Sequence, residues 1–318
     1  MRILLWHVHG SWTTSFVQGR HEYLLPLTPD RDSDGLGRAT SWDWPSSVEE
    51  VPVDRLTDTD FDLVVLQRPH EPDLVRRWTG RTPGRDVPAV YVEHNTPGGD
   101  VPFTRHPLAD QSDIPVVHVT HFNRLFWDCG RAPVDVIEHG IVDPGQLYSG
   151  DWARAAVVVN DPVRRGRAVG TDLLPGIANS VPLDAFGINV HLLDDALDVP
   201  RGRLWTFEGL PQARMHAELA RRRVYVHTSR WTSLGLSLLE AMHLGMPVVA
   251  LATTEAVAAV WRFAHDPEEA QRVGAAARQA ALARYGLGRF LADWDARLEA
   301  WSTGRGGDAS YPAGRASA

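Results

Sequence analysis

The sequence contains no lysine: all 32 side chains counted as lysine plus arginine are arginine. That excludes any mechanism needing a lysine base or Schiff base, and any phosphate clamp must use arginine. There is one cysteine, Cys129, so no intrachain disulfide framework exists. No activating signature lies beside Cys129, which reads as a buried thiol. No apolar run is long enough to span a bilayer, and there is no strong basic amphipathic helix, although peripheral membrane contact is left open. The opening Met1-Arg2-Ile3-Leu4-Leu5-Trp6 is too short for a signal peptide and reads as a first strand. No G-x-S-x-G elbow is present, so a serine nucleophile has no support. An excess of basic charge is missing too. The net charge is −8 and the pI about 5.9, which argues against bulk nucleic-acid binding. These absences together lead to the expectation of a cytoplasmic protein.

What is present is a chain of 318 residues, 43% hydrophobic and 23% charged. That suits a soluble globular protein with two separate cores. Strand candidates alternate with helical or polar segments. In the first half they are 2–8, 21–27, 60–67, 88–97, 114–120 and 134–143, with helices near 73–78 and 121–129. Residues 28–50, rich in Asp, Gly, Ser and Trp, read as a loop. A linker near 144–153 carries Pro, Gly and Ser. The second half continues with strands at 155–160, 182–189, 204–210 and 223–228, and a helix at 215–220. Helices over about 267–284 and 287–301 close it. The alternation argues for parallel sheets with crossover helices. The domain expectation is 1–146, 147–301 and a disordered tail 302–318.

The chain is organised around 229–251, from Ser229 to Leu251. Small polar residues and Gly235 suit a tight turn into a helix. Leu236, Leu239, Ala241 and Met242 follow at helical spacing. Gly245 and Pro247 stop that helix, and Val248 to Leu251 reads as a buried parallel strand. Glu240 stands among the apolar positions. Either it is a solvated or dipole-stabilised glutamate, or it is a carboxylate that accepts hydrogen bonds from sugar hydroxyls. In such sheets ligands bind at the carboxyl ends of the strands. His9, Gly10, Arg68, His70, His94, Asn95, Thr120 and His121 fall there. Gly10 follows the first strand and suits either backbone approach to a phosphate or a simple turn.

The run S-x-x-x-S-L-G-L-x-x-L-E-A-M-x-x-G-x-P-V-V-A resembles the donor-binding motif of retaining GT-B glycosyltransferases, the family 4-like group 1 enzymes. The chain looks like a compact, actinobacterial-type member. The resemblance implies two Rossmann-like, doubly wound parallel-sheet domains facing a cleft. In that family Glu240 binds the ribose of a nucleotide sugar. The family's other glutamate, near the donor sugar, is replaced by Thr232, so the donor loop comprises Thr232, Ser233, Leu234, Gly235 and Leu236. Gly170 to Leu174 matches the family's G-x-D-L-L. Its diphosphate-gripping arginine falls on Arg164, while its lysine is replaced by Val169; Arg165 and Arg167 lie nearby. A solvated basic loop is the plainer alternative. His94 matches the histidine placed beside the donor sugar, with a turn or capping histidine as its alternative. Val136 to Asp143 looks like the family's V-I-P-N-G-V-D, with Glu138 and His139 in place of Pro and Asn. Thr253-Thr254-Glu255-Ala256-Val257 resembles the family's G-G-x-x-E-x-V. After it a strand and loop of the family are missing, so the C-terminal domain is expected to be shortened.

The expected function is therefore transfer of a sugar, with retention, from a nucleotide diphosphate sugar to a hydroxyl acceptor of a cell-envelope, glycolipid or secondary-metabolite glycan. The enzyme is expected to be hexosyl-type. The donor is a co-substrate, and no cofactor or metal is expected. His94 is the catalytic candidate. The Gly10 backbone, the three arginines and the donor-loop helix would face the leaving diphosphate. His9, Trp12 and Arg68 are the weaker acceptor candidates. One rival is a degenerate GT-B protein that binds a nucleotide or partner without turnover. A distant rival is a metal-dependent hydrolase using His7 and His9; His7 and His118 equally suit packed strand positions.

Overall fold

A computed structural model describes residues 1–39, 42–251 and 256–303. Thr253 to Glu255 of the family-like segment and the tail from 304 lie outside the described residues. The chain divides into two compact units. Of the described residues, one comprises Met1–Ala39, Trp44–Glu138 and 290–303; the other comprises 42–43 and His139–Arg289.

The first unit holds seven parallel strands: β1 (Arg2–Leu5), β2 (Glu22–Leu27), β3 (Val48–Pro52), β4 (Leu63–Leu66), β5 (Ala89–Glu93), β6 (Val116–His118) and β7 (Val134–Val136). Their spatial order is β3-β2-β1-β4-β5-β6-β7. Helices α1 (Gly10–Phe16), α2 (Glu71–Thr79) and α3 (His121–Phe126) follow β1, β4 and β6. The central strands are apolar on both faces, as helix-covered parallel sheets require. All four residues of β4 and all five of β5 are buried. Each fully buried Leu or Val there contributes about 1.5–3 kcal/mol. The loop expected over 28–50 ends early, because Val48–Pro52 is the edge strand β3, paired with β2 from Tyr23↔Val48 to Leu27↔Pro52. Its sequence, VEEVP, is polar enough to resemble a loop; an edge strand needs to bury little.

The second unit holds β8 (Trp152–Val158), β9 (Leu183–Gly187), β10 (Leu204–Glu208), β11 (Arg222–His227) and β12 (Val248–Ala250). These five parallel strands lie in the order β10-β9-β8-β11-β12. The connecting helices are α4 (Pro162–Arg165), α5 (Leu174–Ser180), α6 (Leu193–Ala196), α7 (Gln212–Leu219) and α8 (Leu236–His243). After β12 come α9 (Ala256–His265), α10 (Pro267–Tyr285) and α11 (Leu287–Ser302). Among the described residues no strand follows β12. Local chemistry sets the ends of α10: Asp266 accepts from the Glu269 amide at 2.9 Å, and Pro267 opens the first turn.

From Phe290 on, α11 is counted with the first unit. Phe290, Trp294 and Leu298 recur every fourth residue and are buried. Trp294 packs edge-on against Trp12 and Phe16, at centroid distances of 5.6 and 5.0 Å. No helix among the described residues is long and apolar enough to cross a membrane.

Candidate functional site

Strand order decides where each unit can receive a ligand. In the second unit the chain runs outward from β8 through β9 and β10, then returns to the other side of β8 as β11. The loops after β8 and β11 therefore leave in opposite directions. The carboxyl ends of such a strand pair are where open α/β sheets bind ligands. The structure brings the two loops of the sequence motifs together at this point. The Arg230 and Trp231 amides donate to the Ala168 carbonyl at 2.9 and 3.2 Å. Thr228 Oγ1 donates to the Val169 carbonyl at 2.7 Å. Gly170 makes this approach feasible: its φ is +78°, and a Cβ there would lie 2.1 Å from the Thr228 carbonyl oxygen.

The three candidate arginines separate clearly. Arg164 is 73% exposed and pairs with Asp161 at 2.8 Å. Arg167 is 77% exposed and pairs with Asp172 at 3.0 Å. Arg230, which the sequence reading did not single out, also grips Asp172 and donates to the Arg167 carbonyl at 2.9 Å. Arg165 forms no ion pair among the described residues. Partial burial, then the like charge of Arg164, lowers its pKa from the ordinary arginine value. It stays charged, and an arriving anion would relieve both effects. Val169 is 2% exposed and belongs to the apolar core.

Thr232, Ser233, Leu234 and Gly235 form the half-buried loop that enters α8, where Leu236 is the first residue. The N-cap of α8 is Gly235, which has no side chain to cap the first turn, so the entry to the helix suits an anion. A Cβ at Gly235 would meet the His227 ring at 2.3 Å, so a larger residue there would have to displace that ring. Glu240 lies one turn on, 3% exposed. It is neither solvated nor dependent on a ligand for partners. Gln212 Nε2 donates to its Oε1 at 3.1 Å, and His216 Nε2 stands 3.3 Å from Oε2. Both come from α7, four residues apart and so on one helix face.

In the first unit the strand order reverses between β1 and β4. The residues gathered there are His9, Gly10, Gln67, Arg68 and His94. The His9 and His94 rings lie 4.0 Å apart between centroids. Burial first, and the Arg68 charge second, push the His9 pKa down to about 4, which keeps that ring neutral at pH 7. Gln67 is the link that the sequence did not reveal. Its Nε2 donates to the Trp6 carbonyl at 2.8 Å, and its Oε1 lies 3.1 Å from His94 Nε2. Glu71, fully buried, accepts from Arg68 Nε at 2.7 Å and from the Arg68 amide at 3.2 Å. Arg68 also meets Asp34 at 3.1 Å.

The loop carrying His94 is tied down from below. The Asn95 carbonyl accepts from Trp127 Nε1 at 2.8 Å and from Asn123 Nδ2 at 3.1 Å. Trp12 is 1% exposed and packs edge-on against His94 at 5.1 Å. It supports the histidine from within the core and presents no open face. His7 packs against Trp44 at 4.9 Å while His9 packs against His94, so the two rings do not share one partner. Among the described residues no three His, Cys, Asp or Glu side chains are grouped as metal ligands. Cys129 is buried 3.4 Å from His118, and burial pushes its thiol pKa up to about 11. A surface cavity of about 450 Å³ lies at the amino ends of β5, β6 and β7, lined by Arg85, Asp113 and Trp301 among others. That is the end of the sheet away from His94.

Two all-parallel α/β sheets, each with its polar loops gathered where the strand order reverses, define the GT-B class of fold. Residues 204–262 match the family model described as "Glycosyl transferases group 1". Comparison with curated proteins gives no match. Similar solved structures include Anabaena Alr3699/HepE in complex with UDP-glucose, at 15% identity and a TM-score of 0.67, covering 94% of this chain and 100% of that one. Sucrose-phosphate synthase from Thermosynechococcus elongatus is similar at 13% identity and a TM-score of 0.64, covering 93% and 98%. S. aureus TarM, in a complex containing UDP, is similar at 15% identity and a TM-score of 0.61, covering 77% of this chain. The chain spans only 58% of the length of TarM in that structure.

Proposed function

We propose that the protein is a glycosyltransferase that moves a sugar from a nucleoside diphosphate sugar to a hydroxyl acceptor. One observation carries the reading: the loop bearing Arg165 and the uncapped entry to α8 are joined at the carboxyl ends of β8 and β11. A guanidinium with no ion pair among the described residues and the start of a helix there suit a diphosphate. Glu240, one turn further, takes the ribose hydroxyls. The match over 204–262 supports this assignment, as do neighbours crystallised with UDP or UDP-glucose.

The hard step is breaking the anomeric C–O bond while charge builds on the leaving diphosphate. Arg165, with Arg164 and Arg167 released from their carboxylates, and the amides of the loop Thr232 to Leu236 would meet that charge. In the first unit the reading keeps the Gly10 backbone as a phosphate-binding group. His94, held through Gln67, is assigned to the developing oxocarbenium of the sugar. His9 and Arg68 are assigned to the acceptor side, and the burial of Trp12 makes it a support for His94. The reading includes retention of configuration, a hexosyl donor, no metal, and a cytoplasmic location with room for peripheral membrane contact.

A second reading is a GT-B protein that binds a nucleotide without turnover. Val169 favours it, because the position of the family's lysine is spent on core packing. Thr232, in place of a carboxylate, points the same way. Thermal shifts with UDP, GDP, ADP and their sugars, followed by donor hydrolysis and transfer assays, separate the two. One nucleotide in large excess should stabilise wild type by ~2–4 kcal/mol and leave Glu240→Ala unmoved. Stabilisation without turnover would select the second reading. A flat screen with a cooperative melt would reject both.

A further inference from the structure

Glu240 poses a question that its assignment to ribose does not answer. A carboxylate that is 3% exposed can accept hydrogen bonds from a ligand only if its oxygens are aimed at the ligand. Its nearest neighbours in α8, Leu238, Leu239, Ala241 and Met242, are apolar. The aiming comes from α7. Gln212, the first residue of that helix, donates to Oε1 at 3.1 Å. His216, four residues on and 5% exposed, faces Oε2 at 3.3 Å. Gln212 thus holds one oxygen of the carboxylate by a hydrogen bond, while His216, on the same helix face, stands beside the other oxygen without forming one.

We propose that Gln212 is a positioning residue that sets the orientation of Glu240 and, through it, the protein's selectivity for ribose over deoxyribose. The proposal rests on the reading that Glu240 meets the ribose. A carboxylate has about four lone-pair sites, and Gln212 uses one of them. With that bond in place, rotation of the Glu240 terminal torsion is restricted. Such a torsion is otherwise broad. Oriented, the carboxylate accepts from both ribose hydroxyls; unoriented, it meets them only part of the time. The phosphates, held elsewhere, are indifferent to this. Loss of Gln212 therefore weakens binding of ribonucleotides, which lose two oriented bonds, more than that of 2′-deoxyribonucleotides, which lose only the one to the 3′-hydroxyl. A residue that merely supported the fold would weaken both equally.

The test is isothermal titration of wild type, Gln212→Ala, His216→Gln and Glu240→Gln with UDP, GDP and ADP and their 2′-deoxy counterparts, each protein's melting temperature being recorded. The best ribonucleotide should bind wild type on the order of tenfold tighter than its deoxy form, the scale of one hydrogen bond to a charged group. Gln212→Ala should lose most of that ratio, with a larger loss for the ribonucleotide than for its deoxy form and with an unchanged melt. His216→Gln, which keeps an amide facing Oε2, should keep the ratio. If Gln212→Ala does not fold, Gln212→Asn, one methylene shorter, serves in its place. A ratio as high in the variant as in wild type, or equal losses for both sugars, would overturn the positioning role alone. A wild type that binds both sugars equally, or no nucleotide at all, would remove the ribose assignment of Glu240 and the proposal with it.

Discussion

Replacing Gly170 with alanine should damage the second unit and its candidate donor site together. The residue sits at φ +78°, and an added Cβ would stand 2.1 Å from the Thr228 carbonyl oxygen. Neither partner can yield cheaply, because both are backbone. To reach a tolerable contact the loops must separate by about an ångström, which breaks or stretches bonds that join them. The bonds at risk are Thr228 Oγ1 to the Val169 carbonyl and the Arg230 amide to the Ala168 carbonyl. At about 1 kcal/mol each, with ~1–2 kcal/mol for alanine in the left-handed region, the loss is about 3–4 kcal/mol. For a unit of this size that is on the order of a 10 °C fall in melting temperature. Circular dichroism melts with and without nucleotide measure both effects. An unchanged melt together with unchanged nucleotide affinity would refute the reasoning, because it would show that the two loops are not held against each other.

The other predictions concern single groups. Arg165→Ala should leave the melting temperature unchanged but weaken binding of the responding nucleoside diphosphate by roughly tenfold, whereas Arg167→Ala should do much less; titration calorimetry distinguishes them. Asp184→Asn should destabilise the second unit by ~3–5 kcal/mol in urea unfolding. It removes the carboxylate bonded to Arg222 at 2.7 Å, and Arg222 is fully buried. The first unit should lose stability as pH falls. Burial is the main cause that pushes His118 down to about 3 and His9 to about 4. Their ordinary value is near 6.5, so the unfolded chain takes up protons first. The stabilising contribution is complete above about pH 6.5 and drains away toward pH 3–4. Replacing His118 with glutamine should flatten part of that slope in denaturation measured from pH 7 to pH 4.

Much of the architecture was legible because parallel strands buried on both faces must be short apolar runs, and runs such as LVVL and AVYVE admit few other readings. The stretch from Ser229 to Leu251 was legible for a related reason: its glycines, proline and helical spacing fix strand, loop and helix locally. Val48–Pro52 escaped because an edge strand carries no such burial signal. The partners of the functional side chains escaped for a different reason. Gln212 and Glu240 are 28 residues apart and Gln67 and His94 are 27 apart, and no local periodicity connects them.

Sequence alone therefore determined which segments become the buried strands, that arginine must supply every cationic grip, and which loops lie at their carboxyl ends. Those are consequences of composition and local stereochemistry. Tertiary structure alone decided which arginine is left unpaired, that Trp12 supports His94 from the core, and that Glu240 is aimed by α7. These depend on strand order and side-chain neighbours, which are set only when distant segments pack against one another.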